Sequence, residues 1–319
     1  MQEIIKTEIM IKYLKDHFET MFAKKMNLIR VSAPLFVRTD SGLNDHLSGT
    51  ERVISFDASK MELEVVQSLA KWKRNALGRY EFEEGLGLYT DMNAIRRDEE
   101  LDALHSIYVD QWDWEKVINE QDRNLDYLFK TVKDIYSVIY HLGQKFEHKY
   151  GYENHLPKQI IFISSEELLQ KYPNLTAKER ENAYLREVGA AFVYQIGGKL
   201  SNGMPHDSRA ADYDDWQLNG DILLYNEVLD IAFEISSMGI RVSEDSLIEQ
   251  LKMKNEMNKI DNPYCQDIIN KKLPYTIGGG IGQSRLCMFY LKKHHIGEVQ
   301  VSEWGEMAEV LKKKNIYLL

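Results

Sequence analysis

Near its C-terminal end the chain reads Pro274-Tyr275-Thr276-Ile277-Gly278-Gly279-Gly280-Ile281-Gly282-Gln283-Ser284-Arg285-Leu286, with four glycines in five residues and an arginine three residues after the last of them. A β-prone run enters the glycines. A helical pattern leaves them, with Leu286, Phe289, Tyr290 and Lys293 at spacings of three and four. Glycines remove the side chains that would hold a flat ligand away from the backbone. An arginine one turn into a helix offers a fixed guanidinium to phosphate. Taken alone, the stretch reads more readily as a tight strand–helix connection with a surface arginine.

Other chemistry-bearing residues fall in separated pieces. Asn219–Tyr225 and Ile231–Ser237 are strand-like, and a hairpin turning near Glu227-Val228 would set Asp221 opposite Glu234 on one face. Two carboxylates so placed can hold one cation, and their neighbours Ile222, Leu223, Phe233 and Ile235 argue against two free surface acids. Tyr89–Arg96 reads as a strand, Arg97–Asp102 as a charged loop and Ser106–Trp114 as a second strand. Alternation along that second strand puts Val109, Gln111 and Asp113 on one face, away from Tyr108, Asp110 and Trp112. Lys71, Lys73 and Arg74 cluster on a helical pattern, ordinarily the sign of a solvated face. His206–Trp216 is dense in polar side chains: an exposed acidic loop or, given Tyr213 and Trp216, a functional one. Ser41–Gly49 is a polar loop bounded by glycines.

The elements that must position these residues alternate between helix and strand. Glu3–Met26 carries an apolar stripe from Ile4 to Phe22 among lysines and glutamates, a long amphipathic helix. Leu28–Val37 reads as one strand with Pro34 inside it, hence an edge or partner-facing strand. Ordinary core and a dimer interface are equally open for both pieces. Further helices are expected over Asn124–Tyr150, from Ser165, over Lys178–Ala190 and over Ser243–Asn258, with strands at Val53–Phe56, Gln159–Ser164 and Val193–Ile196.

The chain has 319 residues, 44% hydrophobic and 28% charged, enough for a large core. No apolar run is long enough to cross a bilayer, and Met1-Gln2-Glu3-Ile4 opens no secretory signal. Cys265 and Cys287 alone argue for a reducing compartment and against a disulfide framework. Neither sits in a zinc-ligand pattern. A net charge of −10 suits nucleic acid poorly.

Three separated pieces resemble the catalytic domain of class II aminoacyl-tRNA synthetases. Glu3–Phe36 with Pro34 looks like its dimerising helix and strand. Ile95-Arg96-Arg97-Asp98-Glu99 through Trp114 looks like its strand–loop–strand with an arginine followed by acids. Gly278–Leu286 with Arg285 looks like its glycine strand and arginine helix. Asn219-Gly220-Asp221 and Phe233–Arg241 resemble the metal-binding strands of the aspartate subgroup. Ser68–Arg74, Tyr108–Glu115, Asp212–Trp216, Ser236–Val242 and Ile277–Leu286 together are similar to the ammonia-dependent asparagine synthetases (aspartate–ammonia ligases) within that superfamily. The resemblance outweighs the bland reading of the glycine stretch.

It implies one α/β (α+β) catalytic domain over residues 1–319: a mostly antiparallel sheet flanked by helices, dimerising through the N-terminal helix and strand, in the cytoplasm. It implies L-aspartate, ammonia and ATP giving L-asparagine, AMP and pyrophosphate through a β-aspartyl-adenylate. The expected roles follow. Arg96 holds the α-phosphate and the aspartate carboxylate, and Arg285 the β- and γ-phosphates. Asp221 and Glu234 hold Mg²⁺, and Gly280 and Gly282 let adenine approach. Arg96 rather than Arg97 faces the phosphates. Gln111 and Asp113 are candidates for the α-ammonium, Lys73 and Arg209 for the α-carboxylate, and Ser237 for either end. Asp45 or Asp214 receives ammonium and takes its proton. No separate anticodon-binding barrel precedes the first helix, which disfavours a tRNA synthetase. Retention of Asp221, Glu234, Arg96 and Arg285 disfavours a binding protein that has lost catalysis, and the missing N-terminal Cys nucleophile disfavours glutamine as donor.

An Asp45→Ala variant is expected to keep aspartate-dependent pyrophosphate–ATP exchange while losing asparagine synthesis. Equal loss of both would remove Asp45 from the ammonia step.

Overall fold

The computed structural model describes residues 2–44, 47 and 51–319. In chain order come α1 (Gln2–Met26), β1 (Leu28–Arg30), β2 (Phe36–Arg38), β3 (Ser55–Ala58), β4 (Met61–Val65), α2 (Ala70–Arg79), β5 (Gly87–Ile95), β6 (Tyr108–Val117) and α3 (Leu125–Tyr150). There follow β7 (Ile161–Ser164), α4 (Ser165–Lys171), α5 (Ala177–Val188), β8 (Ala190–Tyr194), β9 (Asp214–Asn226), β10 (Ile231–Arg241) and α6 (Glu244–Met253). The last are α7 (Pro263–Ile269), β11 (Thr276–Gly282), α8 (Gln283–Tyr290) and α9 (Met307–Lys313).

Local sequence sets these boundaries. Asn124, Ser164, Thr176, Ser243 and Asn262 each accept a backbone N–H in the first turn of α3, α4, α5, α6 and α7. Pro263 occupies the first position of α7, where a missing N–H costs nothing. Gly151 ends α3 in the left-handed region at φ 76°.

The main sheet runs β1-β5-β6-β11-β10-β9-β8-β7. Its two outermost pairings, β1 with β5 and β7 with β8, are parallel, and the pairings between them are antiparallel. A smaller antiparallel sheet, β2-β4-β3, stands beside it.

Alternation gives the main sheet two unlike faces. On one, Trp112, Trp114, Ile277, Ile281, Met238 and Ile240 are buried in the core formed with Leu14, Phe18 and Phe22 of α1 and Ile135, Ile139 and Leu142 of α3. The intervening residues of β6, β11 and β10 turn to the other face, which is polar. There Gly278, Gly280 and Gly282 alternate past Glu115, Asp113 and Gln111, their direct partners on β6. A Cβ on Gly278 would collide with the Glu115 carboxylate, and one on Gly280 with Gln111. The first need for these two glycines is therefore room for cross-strand side chains.

Several expectations are corrected. Leu28–Val37 is two strands in different sheets, with Pro34 in the connection. With Pro34 in neither strand, the edge position that a proline inside a strand would require does not arise from it; β1 ends the main sheet and β2 ends the small one. α6 stops at Met253, and a short 3-10 turn follows at Met257–Asp261. Lys71, Lys73 and Arg74 are buried rather than solvated, and so are His206, Asp212, Asp214, Asp215 and Trp216, which sets aside the exposed-loop alternative for that segment.

Gly278→Ala is expected to destabilise the fold by about 1–3 kcal/mol, the usual cost of overpacking a filled interior. Gly198→Ala, whose Cβ would meet only the Gln217 amide at 4.0 Å, should change stability by less than about 0.5 kcal/mol. Urea unfolding midpoints at constant m-value check both.

Candidate active site

A cleft of about 240 Å³ opens on the polar face of the main sheet. β5 delivers Arg96 to it: the residue follows the last strand position, and its amide donates to Ile107 O at 2.9 Å. Its Nε is buried with no hydrogen-bond partner among the described residues, and its nearest acid, Glu99, lies 3.8 Å away. Arg97 is exposed and does not line the cleft. From the other side α8 delivers Arg285, whose Nη1 donates to Glu234 O at 3.1 Å and stands 3.8 Å from the Glu234 carboxylate. Gly282 lies under this arginine, its missing Cβ leaving 3.1 Å to Arg285 Cβ.

The end of the cleft nearest α2 carries the groups expected to grip an amino acid. Lys73 is buried, paired with Asp113, and donates to Gly279 O at 2.9 Å. The second Asp113 oxygen, Oδ2, is buried and accepts no hydrogen bond among the described residues. A buried carboxylate oxygen without a donor suits an incoming ammonium. Gln111, Gly280 and Ser237 line the same space. Lys73 is thus already neutralised by Asp113, which weakens its candidacy for the α-carboxylate.

Beneath the cleft runs an ion network that sequence reading missed, apart from Asp214. Arg241 Nη2 donates to Glu115 Oε2 at 2.7 Å and its Nη1 donates to Asp214. Thr276 Oγ1 adds a bond to Glu115 at 2.7 Å. Burial opposes charge on Glu115, but Arg241 prevails and holds its carboxyl below the ordinary value. At Asp214 burial prevails over Arg241, and the carboxyl rises. Lys71 pairs with Asp212 at 2.6 Å, and Arg123 with Asp215 at 2.9 Å. Density of charge between apolar residues in Ser68–Arg74 and Asp212–Trp216 could have flagged Lys71, Asp212 and Asp215, whereas Glu115, Arg123 and Arg241 lie outside those stretches.

The two acids expected to hold a cation share a face by a different route from the one anticipated. Asp221 pairs with Ser237, and Glu234 pairs with Leu223. A bulge between Glu234 and Ser236 inserts one residue, which keeps Glu234 and Ser237 on the same side of β10. Asp221 is buried and lies just outside the cleft lining, whereas Glu234 is part of it. Asp221 Oδ2 accepts from Arg209 Nη2 at 2.5 Å, and Oδ1 is a buried oxygen without a hydrogen bond of ordinary geometry. Burial pushes the Asp221 carboxyl up to about 7; Arg209 opposes that shift and Glu234 adds to it. Desolvation opposes charge on Glu234 as well, but Arg285 and Arg209 hold it below its usual value. Two neighbouring acids with one unpaired oxygen fit a divalent cation completed by substrate phosphates. Asp45 lies outside the described residues.

The strand–loop–strand with Arg96 at the end of its first strand, the glycine strand and the arginine helix place this chain in the class II aminoacyl-tRNA synthetase fold. Asparaginyl-tRNA synthetase from Pyrococcus horikoshii, solved with asparaginyl-adenylate, superposes with a TM-score of 0.68 at 15% identity, covering 94% of this chain and 68% of that one. The Entamoeba histolytica enzyme, also with asparaginyl-adenylate, gives 0.67 at 12% identity, covering 93% and 66%. The family model described as aspartate-ammonia ligase matches residues 5–315. Aspartate–ammonia ligase from Clostridium perfringens strain 13 is 57% identical over 98% of this chain and 95% of its own length, and that from Fusobacterium nucleatum subsp. nucleatum is 57% identical over 99% and 98%. The chain belongs to the aspartate–ammonia ligase family.

Arg241→Met leaves Glu115 and Asp214 buried without their cation. The expected loss is about 3–5 kcal/mol of folding stability, the cost of breaking a buried pair from one side. A Glu115→Gln/Arg241→Met double variant should recover part of that loss in the same unfolding measurement.

Proposed function

We propose that the chain activates the side-chain carboxylate of L-aspartate with ATP and transfers it to ammonia, giving L-asparagine, AMP and pyrophosphate. The observation that carries this reading is the shared cleft of Arg96, Arg285, Gln111 and Asp113, in a chain 57% identical to aspartate–ammonia ligases over nearly its whole length. A carboxylate does not lose oxide unaided. Attack of the β-carboxylate on the α-phosphate makes a mixed anhydride and expels pyrophosphate. Ammonia then attacks the acyl carbon, and AMP leaves with the former C–O bonding pair.

The first step brings one anion to another, so fixed positive charge must stand where negative charge gathers. Arg96 serves the α-phosphate and the reacting carboxylate, and Arg285 the outer phosphates. Both have their nearest acid at 3.8 Å, beyond close hydrogen-bond contact. Asp221 and Glu234 would hold Mg²⁺, which supplies charge neutralisation to the phosphates. Asp113 Oδ2 and Gln111 receive the α-ammonium. Gly282 leaves the space over which adenine lies. Asp45 and Asp214 remain the candidates for the ammonia step. Asp214 lines the cleft, and its raised carboxyl suits it to accept a proton.

The chain is read as one catalytic domain, working in the cytoplasm and without nucleic acid. No described helix is long and apolar enough to cross a membrane. Exposed Ile4, Ile5 and Ile9 on α1, with exposed Ile29 on edge strand β1, support a homodimer built on this corner.

The deciding assay is free of tRNA: purified chain, ATP, Mg²⁺, L-aspartate and ammonium, with asparagine, AMP and pyrophosphate measured together. Equal yields support the proposal, and adenylation without asparagine overturns it. Arg285→Ala should lower kcat by about 10²–10³, by comparison with losing one transition-state donor. Aspartate affinity should change far less.

A further inference from the structure

Glu234 disfavours charge on the buried Asp221 carboxyl, and Arg209 favours charge on both acids. The cation held against Asp221 is Arg209. Its Nη2 donates to Asp221 Oδ2 at 2.5 Å, its Nη1 donates to Asp207 at 2.5 Å, and its side chain is 13% exposed. The backbone around Arg209 is pinned. Lys254 Nζ donates to the Arg209 carbonyl at 2.8 Å, and the Ala210 amide donates to Leu47 O at 3.1 Å. Trp216 Nε1 donates to Ala210 O at 3.1 Å, and three residues earlier His206 is buried against Glu181 at 3.0 Å. The guanidinium is therefore the part of this residue that can move. It also has somewhere to stay: Asp207, whose side chain is 60% exposed, can keep one prong of the fork while the other lets go.

A divalent cation bound by both acids would take the unpaired Oδ1 of Asp221, beside the guanidinium held on Oδ2. Two cations on one carboxylate repel each other, so occupation by one lowers affinity for the other. Resting on the reading of Asp221 and Glu234 as metal-holding acids, we propose that Arg209 is a resident counter-ion: it occupies Asp221 in the nucleotide-free protein, and the incoming divalent cation displaces it. Arg209 thereby makes the empty site a poor metal binder. Metal enters effectively only with the nucleotide, whose phosphates add negative charge on its far side. The released prong of the guanidinium then faces the anionic groups gathered in the cleft. This assigns Arg209 a positioning role distinct from a simple grip on the aspartate α-carboxylate.

The test is Mn²⁺ binding to the nucleotide-free full chain, followed by the electron paramagnetic resonance of free Mn²⁺. Arg209→Gln should bind Mn²⁺ at least about tenfold more tightly than the unaltered chain, a lower bound for removing one close charge interaction near a protein surface. Lys178→Gln removes a cation that also acts on Glu234 but is bonded to Glu181, and should change Mn²⁺ binding less than about twofold by the same screening argument. Equal tightening by both variants would make the effect one of general charge and overturn the inference. So would unchanged binding by Arg209→Gln. If that variant fails to fold, Arg209→Lys decides. It keeps the charge, so Mn²⁺ binding as weak as in the unaltered chain supports the inference, and binding tightened about tenfold overturns it, because the loss of the fork rather than of the charge would then account for the effect. Asp221→Asn, measured with a non-hydrolysable ATP analogue present, separates the two layers. Undiminished Mn²⁺ binding there removes Asp221 from the metal site, and the inference falls with that reading. Weakened binding there, with Arg209→Gln unchanged in the nucleotide-free assay, overturns the inference alone.

Discussion

The polar face of the sheet depends on Arg241. It is buried, as are Glu115 and Asp214, the carboxylates it bonds. Burying three charges is tolerable only when each finds its partner with good geometry. The surroundings are built to that end. Gly278 has no Cβ where Glu115 and Arg241 meet. Thr276 supplies a further donor to Glu115, and Lys73 adds a second cation acting on it. Removing any of these changes the protonation or position of an acid in the cleft floor. Stability and site geometry are coupled here through the same atoms.

The neighbouring glycines follow from that network. A strand in the middle of a sheet is ordinarily weakened by glycine. β11 accepts three on its polar face: Gly278 and Gly280 leave volume to the side chains of β6 and Gly282 to Arg285, while Ile277 and Ile281 anchor its opposite face in the core. The bulge in β10 does similar work by shifting parity. In a regular strand Glu234 and Ser237, three apart, would point to opposite faces.

These features explain what could be read from the sequence. Tyr89–Arg96 and Ser106–Trp114 were legible as strands, and alternation alone sent Gln111 and Asp113 to the face opposite Trp112, whereas the glycines of Ile277–Gly282 became a strand only through the family resemblance. The hairpin joining β9 to β10 was legible as well. Its register was not, because a bulge leaves no local mark in composition. The burial of Lys71, Lys73 and Arg74 was hidden for a related reason. Their partners, Asp212, Asp113 and the backbone carbonyls of Val242 and Pro274, are distant in sequence. A charge run betrays its burial only when the opposing charges can be placed. Leu28–Val37 failed differently: local β propensity on both sides of Pro34 gave no sign that the two halves join separate sheets.

Counting positive groups near the cleft does not identify those that meet the substrates. Lys73, Arg209 and Arg241 are each held by a protein carboxylate in direct contact. Arg96 and Arg285 face theirs at 3.8 Å, and Arg96 Nε has no partner at all among the described residues. A cation already neutralised at close range adds little to the field felt by a phosphate, whereas one with open donors can form charge-assisted bonds as negative charge develops. The paired cations therefore shape the cleft and offset part of the cost of burying its acids, and the two loosely paired arginines are left to the anions that react. That division explains how an acidic chain can serve an anion-on-anion reaction: its excess negative charge is tied up locally, and the uncommitted positive charge is concentrated at the ends of β5 and β11.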